Sequence, residues 1–99
     1  MDEEKPYVSE NGFTTTLERG ANCQYTYTTS KSVFLNKLDA ADCSNMKVYY
    51  EIDGVKTELT DKMTYPGFDS EIGDETIKWT IEDAFGNSTE VTETVNKVD

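Results

Sequence analysis

The sequence predicts an all-β chain folded as an antiparallel sandwich of about seven strands. Three observations point there. Apolar and polar residues alternate with a period of two along most of the chain, as half-buried strands require. Threonine, tyrosine and valine dominate these stretches, the residues that suit a pleated surface. Turn signals separate the stretches at short, regular intervals.

From the N-terminus, Tyr7-Val8 makes a short extended piece and Phe13 to Leu17 the first full strand. Arg19-Gly20-Ala21-Asn22 turns the chain into Cys23-Gln24-Tyr25-Thr26-Tyr27-Thr28, where Cys23, Tyr25 and Tyr27 share one face. Lys31 to Leu38 is ambiguous, with Val33-Phe34-Leu35 as its apolar run, and Asp39 to Asn45 reads as a loop. In the next strand Met46, Val48, Tyr50 and Ile52 point one way. Asp53-Gly54 is a two-residue hairpin signal, with Val55 to Leu59 as the return strand. Asp61 to Gly73 reads as irregular, with Pro66-Gly67 as a turn. Ile77, Trp79 and Ile81 then alternate with Lys78, Thr80 and Glu82, which places all three apolar residues in the core. Ala84-Phe85-Gly86-Asn87 turns the chain, and Ser88 to Val98 returns with Val91 and Val95 on one face.

A length of 99 residues suits one domain, expected to span 6–99. Met1-Asp2-Glu3-Glu4 lacks the basic and then apolar character of a leader, so residues 1–5 read as a flexible lead-in or an artificial start. No run approaches the roughly 18–20 apolar residues of a membrane helix. The net charge of −11 repels phosphate backbones and anionic lipids, so neither nucleic acid nor membrane insertion is expected. Such a surface favours solubility and keeps neighbouring modules apart.

Chemistry-bearing constellations are few. Histidine is absent, and Ser9, Ser30, Ser32, Ser44, Ser70 and Ser88 lack any nucleophile-elbow context. With 20 acidic residues, carboxylate pairs arise by composition alone and point to no reaction. No enzyme, no cofactor and no metal centre is expected. Calcium is the cation to weigh, with acidic loops at Asp39/Asp42, Asp69/Glu71/Asp74 and Glu82/Asp83, but none has the spacing of a known calcium loop. Asp83 fits better as a structural turn residue, its carboxylate accepting backbone N–H groups while Gly86 takes positive φ and Asn87 closes the turn. A carbohydrate platform would need exposed aromatic rings. Trp79 is in phase with the core, which leaves Tyr49 and Tyr65. Asn87-Ser88-Thr89 fits a glycosylation sequon, although the turn accounts for Asn87 by itself.

Cys23 and Cys43 are the two cysteines. In a small, threonine-rich, strand-patterned chain they suggest one disulfide and an oxidising compartment, the alternative being two unpaired thiols in a reducing one. Closing that loop would stabilise the fold by about 3 kcal/mol.

The stretch from Ile72 to Asn87, with Asp83, Gly86 and Asn87 before a final strand, resembles the HYR (hyalin repeat) family. Cys23 and Ala41-Asp42-Cys43 match that family's internal cysteine pair, and the likeness covers residues 8 to 99. The family's second cysteine pair is missing, Val91 standing at its late position, and Ser70 replaces the usual aromatic before the glycine turn. These departures are similar to the HYR-like modules of large bacterial surface proteins. The resemblance implies an immunoglobulin-like sandwich, secreted or on the cell surface, acting as a spacer or protein-adhesion unit with no catalytic residues. Its partners would be neighbouring domains of the parent chain, or an extracellular protein or glycan. A calcium- or carbohydrate-binding accessory module is the alternative.

Overall fold

Seven strands and one short helix build the fold in a computed structural model of the chain, which describes residues 6–20, 24–38, 46–68 and 71–99. In chain order these are β1 (Gly12–Glu18), β2 (Tyr25–Ser30), α1 (Lys31–Lys37), β3 (Lys47–Ile52), β4 (Val55–Leu59), β5 (Lys62–Phe68), β6 (Gly73–Glu82) and β7 (Ser88–Val98). An isolated bridge at Tyr7 adds an eighth strand-like piece. Two sheets form, one in the order β1-β7-β6-β3-β4 and the other pairing β2 with β5. The all-β sandwich expected from the alternation is therefore what the chain adopts.

The connectivity is of the immunoglobulin kind. There the C, F and G strands share one sheet while B and E belong to the other. Here β3, β6 and β7 take the first set of places, and β2 and β5 the second. All pairs but one are antiparallel. β1 runs parallel to β7, with Phe13 opposite Glu93, Thr15 opposite Val95 and Leu17 opposite Lys97. Sequence pattern gives no warning of this, because parallel and antiparallel edge strands alternate alike.

Strand phase decides the core. Ile77, Trp79 and Ile81 of β6 are fully buried, as are Val48 of β3 and Val95 of β7. Tyr25 and Tyr27 of β2, and Met63 and Phe68 of β5, close over them from the second sheet. Asp53 and Gly54 make the β3–β4 hairpin with φ of 52° and 81°, the paired positive values of a type I′ turn.

One segment left ambiguous by the sequence takes a definite form, and another differs from expectation. Lys31 to Lys37 is helical. Ser30 caps it, its hydroxyl accepting the Val33 N–H at 3.2 Å, and Phe34 and Leu38, four residues apart, bury one stripe. Residues 62–68, expected to be irregular, form β5 instead. Three residues on β2, Tyr25 to Tyr27, span four on β5, Phe68 to Tyr65, so β5 is bulged there. A bulge on an edge strand tolerates proline, which has no N–H to donate, and this is how a Pro-Gly pair lies within a strand.

Candidate functional site

On β7, residues 91, 93, 95 and 97 share the inward face, so two charges follow the two valines into the interior. Glu93 is completely buried and Lys97 is 2% exposed. A buried carboxylate is tolerable only when donors surround it. Glu93 has three. The Trp79 indole N–H and the Tyr27 hydroxyl both donate to Oε1 at 2.8 Å, and the Thr15 hydroxyl donates to Oε2 at 2.6 Å. These donors come from β6, β2 and β1, so one carboxylate ties both sheets to the parallel edge strand. Burial pushes the Tyr27 phenol well above its ordinary pKa, and the charge and hydrogen bonding of Glu93 push the same way. Tyr27 therefore stays a donor. Among the described residues Glu93 has no ion-pair partner.

Lys97 is satisfied differently. Its Nζ meets Glu75 Oε2 at 2.9 Å and lies 5.7 Å from the Tyr25 ring centre. The Tyr25 hydroxyl donates to the Val98 carbonyl at 2.7 Å, and Arg19 reaches both that hydroxyl and Asp99. This group fastens the last residues of β7 to β2 and β6.

The β6–β7 turn is built on Asp83. Its Oδ1 accepts the N–H groups of Phe85 and Asn87, both at 2.9 Å, and its Oδ2 accepts the Asn87 side-chain amide at 3.1 Å. Burial opposes ionisation of Asp83. The hydrogen bonds from the Asn87 side chain and from the Asn87, Phe85 and Gly86 backbone outweigh it, and hold the carboxyl below its usual range. Gly86 sits at φ 88°. Asn87, the sequon asparagine, spends its amide on Asp83. Phe85 projects from this braced turn into solvent.

Beside the Glu93 network lies a cleft of about 170 Å³ between the sheets. It exists because β1 pairs with β7 and leaves the margin of β2 uncovered on that side. Thr15 and Tyr27 line it, so the side chains that hold Glu93 also form the cleft wall. Phe13, Val33 and Phe34 supply apolar surface, and the Lys37 ammonium sits 4.7 Å from the Phe13 ring centre.

Cys23, Cys43, Asp39, Asp42, Asp69, Ser44 and Ser70 lie outside the described residues. Glu71 and Asp74 are exposed, and among the described residues no three acidic or cysteine side chains gather to hold a metal ion. Tyr49 and Tyr65 do not form one platform. Tyr49 belongs to β3 and lies under Lys56, while Tyr65 belongs to the other sheet and packs edge-on against Phe68 at 4.7 Å. Trp79 is stacked on Phe34 with ring centres 4.2 Å apart.

Sequence reasoning missed Glu93, Lys97 and the cleft. The signal for the first two was present, since both keep the phase of Val91 and Val95. The cleft had none, because it follows from the partner β1 takes. No protein-family model matches the chain, and no curated protein sequence does either.

Proposed function

We propose that this chain is a non-catalytic module of an extracellular protein, serving as a spacer and adhesion unit of the HYR-like kind. The observation that carries this reading is the path of the backbone through an elongated body. Pro6 is held at one pole, its carbonyl accepting the Thr89 hydroxyl at 2.7 Å beside the β6–β7 turn. The chain then runs along β1, parallel to β7, and both strands finish together at the other pole, with Glu18 opposite Val98. The body measures 50 × 22 × 21 Å, so a polypeptide that arrives at one end leaves from the other. Modules strung this way add length instead of doubling back.

The polar interior supports the same reading. Among the described residues every buried side-chain nitrogen or oxygen has a hydrogen-bond partner, and Glu93 has three donors committed to it. A carboxylate so engaged supports structure and is poorly placed to act as an acid or base toward a substrate.

Three copies joined head to tail, measured by small-angle X-ray scattering, test the spacer reading. The maximum dimension should grow by roughly one long axis, 50 Å, for each added copy. A three-copy chain that folds back into a compact particle would refute it.

A further inference from the structure

We propose that the cleft between β1, β2 and α1 receives the lysine side chain of a protein partner. This deepens the adhesive half of the reading above and rests on it.

The first argument is charge. Glu93 stands directly behind the cleft wall, hydrogen-bonded through Thr15 and Tyr27, both of which line the cleft. All three of its donors are neutral groups, so its negative charge is shared but not cancelled. Across the cleft wall that field is screened less than it would be by bulk water, and Lys37, the charged residue lining the cleft, is the cation that now answers it. The net charge of −11 acts in the same direction and draws cationic segments toward the surface.

The second argument is shape and surface chemistry. Val33, exposed at the rim, and Phe34 present apolar wall to a four-carbon stem. Phe13 presents a ring face to an ammonium. The chain's own Lys37 demonstrates the fit, since its Nζ lies 4.7 Å from the Phe13 ring centre, within cation–π range. Lys37 thus acts as a resident surrogate that a partner's lysine displaces.

The test is an NMR titration of the intact chain with n-butylammonium chloride and, in a second arm, with a short neutral-ended peptide carrying one lysine. The indole N–H of Trp79 is the reporter, because the chain has one tryptophan and that N–H donates to Glu93. Both ligands should shift it saturably, and n-butanol and sodium chloride at matched ionic strength should not. Lys37→Met, which removes the competitor, should tighten binding by about threefold or more. Phe13→Leu should weaken it roughly tenfold. A butylammonium response without a peptide response would show a site for small amines only and overturn the protein-partner claim. Equal shifts with n-butanol, no saturable shift, or weaker binding by Lys37→Met would each overturn the proposal outright. Saturable peptide binding by a module whose three-copy chain is compact would sink the spacer reading and leave this one standing.

Discussion

Trp79 and Glu93 meet diagonally across the β6–β7 pair, the indole N–H donating to the carboxylate at 2.8 Å. Both are completely buried, and the ring is stacked on Phe34 from the helix. The contact joins the largest apolar side chain of the core to its deepest charge, so neither can be changed without exposing a fault in the other.

Glu93→Gln keeps the volume but removes the charge and replaces one acceptor oxygen with a donor, so a hydroxyl must turn round to accept or the indole N–H loses its partner. A loss of about 1–3 kcal/mol is expected. Tyr27→Phe removes one donor and should cost about 1 kcal/mol. Urea unfolding of both single variants and the double variant measures the coupling. Strictly additive losses would contradict a shared network.

Trp79→Ala should cost about 3–5 kcal/mol by emptying the space between Phe34 and the sheet. The folded wild type should emit to the blue of free indole. Emission at the free-indole wavelength would contradict the burial.

Asp83 makes stability depend on acid. Its folded carboxyl titrates below the ordinary value, so the ionised form favours folding. That contribution is complete above the ordinary carboxylate value, about 4, and disappears as the pH falls through the lowered one. Asp83→Asn should therefore flatten the acid limb of a stability-against-pH curve. Parallel curves for the two proteins would count against the turn geometry.

Gly86→Val should cost about 1–2 kcal/mol, because a β-carbon is disfavoured at positive φ. Beyond the glycine and its two chain neighbours no atom lies within 4 Å of where that β-carbon would stand, so the cost is conformational and not a clash. Gly86→Asn, which tolerates left-handed backbone better, should be milder in the same thermal melt. Equal melting of all three proteins would show the turn to be relaxed.

Cys23 and Cys43 lie outside the described residues, and the sequence pattern predicts that they are joined if the chain is exported to an oxidising compartment. Intact mass before and after reduction should differ by two hydrogens, and Cys23→Ala should lose about 2–4 kcal/mol. Two thiols alkylated without prior reduction would point to a reducing compartment.

Period-two alternation by itself determined the strands other than β5, their inward faces and the burial of Ile77, Trp79 and Ile81, because a strand's side chains must point alternately to either side whatever it pairs with. Local chemistry likewise determined the hairpin at Asp53-Gly54 and the turn around Asp83, where backbone conformation depends on a few adjacent residues. Tertiary structure decided everything that depends on partners distant in sequence. Lys31–Lys37 is helical because Ser30 caps it and Phe34 finds Trp79 to stack on. The Pro66-Gly67 pair lies within a strand because β2 accepts a bulge opposite it. The inward phase of Glu93 was legible, but whether a charge could remain there was not. That was decided when β1, β2 and β6 delivered Thr15, Tyr27 and Trp79 to the same carboxylate, since only three converging donors make the burial of that charge tolerable.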